Sequence, residues 1–315
     1  MIKDSFGRPL LNLRVSVTQR CNLHCPYCHR EGEEKRVGNS VTEMTTEEIV
    51  RIVKVAISLG MRRVKITGGE PLLRTDILDI VKGIAGIKGL KDLSMTTNGT
   101  LLSEYAEDLH NDGLMRVNVN IPTLNSETYR KLVGGNLQDV LNGIEAAIEV
   151  GFDPVKLNML LLKGINEKDI SEMMRFASES GAILQLIELE PVNVSSAYFE
   201  RYHYALDEEE AKLKEKALKV KTRGDMQNRR IYYLPNVNVE VIHPIENTEF
   251  CARCTRLRVT SDGKLKPCLM KKTGLVDALT PIRKGEDNDR ITQLFMEVCR
   301  RREPFYKASS RSSKR

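Results

Sequence analysis

The sequence predicts an α/β fold: a partial (β/α)6 barrel followed by a smaller, β-containing C-terminal module. Three observations lead there. Six short runs rich in β-branched and aliphatic residues recur over the first two thirds of the 315 residues. Helical patterns with capping residues lie between them. After "LEP" at 189–191 the alternation stops, and hairpin-like stretches and a late group of cysteines take over. Regular alternation of strand and helix signals parallel β/α units.

The six runs are "LRVSVT" from 13, "RVKITGG" from 63, "LSMTTNG" from 93, "RVNVNIP" from 116, "KLNMLLL" from 156 and "LQLIELEP" from 184. Between the first two, "TTEEIVRIVKVAISLG" has an N-cap threonine, acidic residues in its first turn and a closing Gly60. "LQDVLNGIEAAIEVG" has the same grammar and closes at Gly151. Six units are too few for a closed eight-fold barrel, but they suit an open arc; an open doubly wound sheet is the competing arrangement. Both put functional residues at the C-terminal ends of the strands. Further on, "DEEEAKLKEKALKVK" reads as a charged helix and "RRIYYLPNVNVEVIHP" as two strands around a proline-containing turn. The expected organisation is a barrel over 1–224, a second module over 225–300 and a flexible basic tail over 301–315.

Composition narrows the class. The net charge of +6 owes several units to the tail "KASSRSSKR", so the body is nearly neutral and no nucleic-acid partner is expected. No stretch approaches the roughly 20 apolar residues of a membrane helix, and the N-terminus lacks a secretory apolar core, so a cytoplasmic location and no membrane partner are expected. Seven cysteines cannot all pair within one chain, and a reducing compartment favours free or metal-bound thiols.

The cysteines carry the chemistry. "CNLHCPYCHREG" sets Cys21, Cys25 and Cys28 within eight residues, and "FCARCTRLRVTSDGKLKPCLM" sets Cys251, Cys254 and Cys268, with "SDGK" reading as a hairpin turn that returns the third toward the first two. Structural zinc takes four ligands, and neither set has four unless another element completes it. An iron–sulfur cube held by three thiolates keeps one iron open for a small molecule. His24 suits a local or solvent-facing role better than a fourth ligand, and Cys299, outside both sets, reads as a small buried residue.

"CNLHCPYC" fits the C-x3-C-x2-C loop of the radical S-adenosylmethionine enzymes, and one β/α unit later "TGGEP" resembles their motif for the amino end of the cofactor's methionine. The fold is therefore identified as a radical-SAM barrel. The glycines would let main chain approach a ligand closely, and Glu70 would accept from an ammonium group. "CARC" followed by thirteen residues and Cys268, with Arg256 and Arg258 just after the second cysteine, resembles the auxiliary iron–sulfur module of the GTP 3',8-cyclases of molybdenum-cofactor biosynthesis.

That resemblance implies two [4Fe-4S] clusters with three cysteines each, S-adenosylmethionine, and GTP as substrate. It implies that a 5'-deoxyadenosyl radical removes the 3' hydrogen of GTP, that the C3' radical attacks C8, and that reduction gives 3',8-cyclo-7,8-dihydro-GTP. It places S-adenosylmethionine contacts at Tyr27, Gly68, Gly69, Glu70, Asn120 and Glu190, and GTP contacts at Arg14, Lys65, Thr96, Lys156, Arg256, Leu257 and Arg258. No catalytic residue beyond cluster and substrate ligands is implied. The implied partners are an electron donor, the pterin-forming enzyme that takes the product and a second copy in a homodimer.

The chain departs from the family's pattern at several positions. Asn120 stands where serine is usual, Glu190 where methionine is common, His29 where methionine is common and Lys65 where arginine is common, and the chain ends "SSKR" in place of a double glycine. Two alternatives follow: a peptide maturase, disfavoured because the second set has only three cysteines, and a non-catalytic iron–sulfur protein that binds GTP or S-adenosylmethionine.

Overall fold

The computed structural model describes residues 1–34 and 43–306, and its strands form one twelve-stranded sheet. The six expected strands are β1 (Asn12–Ser16), β2 (Arg63–Thr67), β3 (Asp92–Thr97), β4 (Arg116–Asn120), β5 (Lys156–Leu160) and β6 (Ile183–Ile187), parallel and adjacent in chain order. The crossovers carry α1 (Thr46–Ser58), α2 (Ile77–Ala85), α3 (Leu102–Asn111), α4 (Ser126–Val133), α5 (Leu137–Glu149) and α6 (Ile170–Glu179). Helix α1 begins as its sequence requires: Thr45 and Glu48 form a capping box, and Ile49, Ile52, Val53 and Ala56 make a buried stripe.

The strands alternate with a consistent sense. Leu13, Val64, Leu93, Val117, Leu157 and Leu184 are buried at 0–1% exposure toward the helices. Their neighbours Arg14, Lys65, Lys156 and Gln185 line a cavity on the concave side. Because successive side chains of a strand point to opposite faces, the period-2 pattern packs an apolar shell outside and builds a polar site inside.

The arc is longer than the six strands expected. After α7 (Ser196–Tyr202) and α8 (Asp207–Lys216), β7 (Lys219–Arg223), β8 (Arg229–Tyr233) and β9 (Asn238–Ile242) form a meander in which β9 pairs parallel to β6. After α9 (Thr248–Ala252), β10 (Arg256–Val259) pairs parallel to β1, and β11 (Lys264–Lys266) and β12 (Val276–Asp277) continue antiparallel. The later strands thus extend both ends of the same sheet, and residue 225 falls in the turn between paired β7 and β8. The charged helix ends at Lys216, short of Lys221, because Lys219–Arg223 pairs with β8 and tertiary pairing overrides helix propensity.

Helices α10 (Leu279–Arg283) and α11 (Asn288–Arg300) close the described chain, and Cys299 on α11 is 2% exposed, as expected of a small buried residue. Of the tail expected over 301–315, residues 301–306 are described and its start is corrected: Arg302 is 2% exposed and paired with Asp4, so the chain still packs on the body there. Residues 307–315 lie outside the described residues, and no helix among those described is long and apolar enough to cross a membrane.

Candidate functional site

All six cysteines of the two sets border one cavity of about 300 Å³ on the concave side of the sheet. The first set sits on the loop leaving β1, which neighbouring main chain anchors. Gly69 N–H donates to the Thr18 carbonyl at 2.7 Å, Glu70 N–H to that of Arg20 at 2.7 Å, and His24 N–H to that of Val133 at 2.9 Å. A Cβ on Gly69 would stand 2.1 Å from the Arg20 carbonyl oxygen, so this glycine is required by chain-to-chain contact just before Cys21. His24 is exposed and does not line the cavity, in keeping with a solvent-facing role.

Glu70 differs from its expected role. It is 0% exposed and does not line the cavity; Oε1 accepts from Leu72 N–H at 3.1 Å and Thr97 Oγ1 at 2.7 Å, and Oε2 from Asn98 N–H at 2.6 Å. Burial pushes its carboxyl up to about 7 against those hydrogen bonds. Glu70 therefore ties "TGGEP" to the end of β3, and its carboxylate is not presented to a cavity ligand. Leu257 is the second correction: strand alternation turns its side chain to the buried face at 0% exposure, away from the cavity that Arg256 and Arg258 line.

The second cysteine set has a support that sequence reasoning missed. Arg8 Nη1 donates to the Cys251 carbonyl at 2.8 Å, and Arg302 Nη2 to the Cys254 carbonyl at 2.7 Å. Both guanidiniums pair with the fully buried Asp4 carboxylate, at 2.8 and 2.9 Å. Burial acts to raise the Cys254 thiol, but the positive charges of Arg302, Arg256 and Arg8 bring it below its ordinary value. Cys25, in contrast, is pushed up to about 12 by burial.

The inner wall is a lattice of buried charges and amides. Glu31 pairs with Arg14 at 3.3 Å and with Arg258, and its carboxyl falls to about 2 because these arginines outweigh burial. Glu240 pairs with Lys156 at 2.6 Å and Arg223 at 3.0 Å. Lys65 Nζ donates to Asn118 Oδ1 at 2.5 Å, and Asn118 Nδ2 to Gln185 Oε1 at 2.7 Å. Burial lowers Lys156 to about 8 and holds Lys65 well below its ordinary value. The alternation within "RVNVN", "LQLI" and "NVEVI" could have marked Asn118, Gln185 and Glu240 as inward-facing; nothing local marks Glu31 or Arg223.

Tyr27, Gly68, Gly69, Asn120 and Glu190 line the same cavity, as do Arg14, Lys65, Thr96, Lys156, Arg256 and Arg258. Asn120 Oδ1 accepts from Asn158 Nδ2 at 2.9 Å, and His29 Nδ1 accepts from Glu31 N–H at 3.0 Å. Phe305 and Tyr306, the last described residues, also line it, so the chain approaches the cavity near its C-terminal end.

The donor sets fit clusters. All six cysteines are free thiols. Among the described residues no three cysteine, histidine or carboxylate side chains converge on one metal-ion position. A cube does not require that, because each thiolate binds its own iron. Each three-thiol set also opens onto space for a small molecule.

Solved structures with the same fold include Streptococcus suis SuiB bound to S-adenosylmethionine, with a TM-score of 0.62 and 20% identity over 82% of this chain, which spans 60% of that one. Native anSMEcpe with bound AdoMet gives 0.56 and 16% identity, covering 84% of this chain and 75% of that one. The Radical SAM superfamily model matches residues 15–177, and that of Molybdenum Cofactor Synthesis C matches 182–308. Fold and site thus define a radical SAM enzyme, a class that holds a [4Fe-4S] cluster and S-adenosylmethionine.

Full-length relatives narrow this further. Proteins named probable GTP 3',8-cyclase from Methanothermobacter thermautotrophicus and Methanocaldococcus jannaschii are each 46% identical over 97% of this chain and 99% of theirs; one from Thermococcus kodakarensis is 46% identical over 98% and 100%. The chain belongs to the GTP 3',8-cyclase family.

Proposed function

We infer that the protein converts GTP to 3',8-cyclo-7,8-dihydro-GTP for molybdenum-cofactor biosynthesis, with Cys21, Cys25 and Cys28 holding one [4Fe-4S] cluster and Cys251, Cys254 and Cys268 a second. The observation that carries this reading is the meeting of both three-thiol sets and a band of buried and half-buried cations on one cavity. When bound, the first cluster supplies the electron that splits S-adenosylmethionine into methionine and the 5'-deoxyadenosyl radical.

The chain's own task is binding and positioning. Tyr27, Gly68, Gly69, Asn120 and Glu190 line the cavity and would hold S-adenosylmethionine, with the Asn120 amide in the role of the usual serine hydroxyl. Arg14, Lys65, Thr96, Lys156, Arg256 and Arg258 line the cavity and would hold GTP, their cations meeting the triphosphate. Cys251, Cys254 and Cys268 would hold a cluster whose open iron supplies a binding site for the guanine base. The protein acts in the cytoplasm, takes electrons from a separate donor and passes its product to a pterin-forming enzyme.

Replacing Cys251 with serine tests the two-cluster division. The variant, reconstituted anaerobically, is expected to retain the first cluster and reductive cleavage of S-adenosylmethionine while losing guanine binding and cyclisation. Cyclisation of GTP at the wild-type rate would remove the second cluster from the mechanism.

A further inference from the structure

Most buried or half-buried cations on the cavity wall have a carboxylate partner. Arg14 and Arg258 share Glu31, Lys156 and Arg223 share Glu240, and Arg116 pairs with Asp92. Three lack an ion pair among the described residues: Lys65 has only the Asn118 amide, Arg256 is bordered by other arginines, and Arg229 has only the Gln227 amide oxygen, at 3.1 Å from Nη2. The family resemblance reaches Lys65 and Arg256. It does not reach Arg229.

Arg229 opens β8 and lines the cavity, with its guanidinium 5.8 Å from the Phe250 ring centre. Its Nε is fully buried and has no hydrogen-bond partner. Directly opposite, in register across the β7–β8 turn, stands Arg223. Like charges facing each other across two strands are destabilising, and an arginine cannot escape by losing its proton. Glu240 is bonded to Arg223, and neither it nor Glu190 forms an ion pair with Arg229, although both act on it at longer range. A hairpin that presents two arginines to one cavity, one of them without an ion pair, is built for an anion that arrives from outside.

We propose that Arg229 binds a phosphate group of the nucleotide substrate and makes the β7–β8 hairpin part of the triphosphate site. This rests on GTP occupying the cavity. It adds a determinant of nucleotide charge: Arg229 distinguishes GTP from guanosine and contributes nothing to base recognition.

The test is equilibrium dialysis of GTP and of guanosine against the anaerobic holoprotein, alongside thermal unfolding without ligand. Arg229→Gln is expected to weaken GTP binding about ten- to a hundredfold, the range of a charge-assisted hydrogen bond, and to leave guanosine binding unchanged. Arg229→Lys should recover part of the loss. Because the substitution relieves the Arg223–Arg229 repulsion, ligand-free Arg229→Gln should unfold at an equal or higher temperature than wild type, an outcome that a structural arginine would reverse. Arg230→Gln, on the adjacent half-exposed position, should change neither affinity.

Equal weakening of GTP and guanosine, or unchanged GTP affinity in Arg229→Gln, overturns the assignment while leaving the GTP reading intact. Wild-type protein that binds no GTP overturns both.

Discussion

Glu31 and Arg258 form a buried ion pair across a separation of 227 residues, joining the first cysteine loop to the strand between Cys254 and Cys268 of the second set. The same carboxylate takes Arg14 on β1. One acidic side chain therefore fixes two cavity arginines in position.

Replacing Glu31 with glutamine leaves those two cations facing each other, and the expected cost is about 3–5 kcal/mol of stability, the usual range for breaking a buried pair. The carboxyl stands at about 2 in the folded chain against an ordinary 4.5. A depressed value gives stability that is present above pH 4.5 and lost as pH falls toward 2. Thermal unfolding followed from pH 6 to pH 2.5 should show a steeper fall for wild type than for Glu31→Gln. Parallel curves would mean that the pair contributes nothing.

Alanine at Gly69 would place a Cβ 2.1 Å from the Arg20 carbonyl oxygen, one residue before Cys21. The expected result is selective loss of the first cluster: iron falls from roughly eight to roughly four per chain on the two-cube count. Guanine binding at the second site should persist. Full iron content would show that the loop tolerates the shift.

These relationships also mark how far the sequence was legible. The cysteine sets, "TGGEP" and the six barrel strands rest on local spacing and period-2 or helical patterns, which neighbouring residues determine. Arg302 could not be read in that way, because its contacts with Asp4 and the Cys254 carbonyl span 298 and 48 residues. The placement of β9 and β10 beside β6 and β1 is likewise a matter of tertiary pairing, and nothing in "NVNVEVI" or "RLRV" specifies which edge is joined. The role of Glu70 is illegible for a different reason: an acidic residue in a glycine turn looks the same in sequence whether it faces a ligand or main chain.

Arg302→Met removes the donor to the Cys254 carbonyl and one of the two guanidinium partners of buried Asp4. The second cluster is expected to become labile, with its iron lost on gel filtration at least tenfold faster than from wild type, while the first cluster keeps its spectrum. Arg302→Lys restores charge but not the planar fork and should recover only part of the retention. Unchanged iron retention in the methionine variant would separate the Asp4 network from the cluster.

Cys299 serves as the internal control. Its thiol is buried on α11 and does not line the cavity. Cys299→Ser is expected to cost about 1 kcal/mol, for burying a hydroxyl in place of a thiol, and to leave iron content and turnover within twofold of wild type. A loss of cluster iron would add Cys299 to the ligands.

The central claim is that one cavity brings the 5'-deoxyadenosyl radical to the ribose of GTP. Anaerobic turnover with GTP deuterated at C3', S-adenosylmethionine and a reductant, with mass spectrometry of the 5'-deoxyadenosine, tests it most directly. The account predicts one deuterium in 5'-deoxyadenosine together with the cyclised product; 5'-deoxyadenosine free of deuterium, formed while GTP is consumed or left intact, would contradict it.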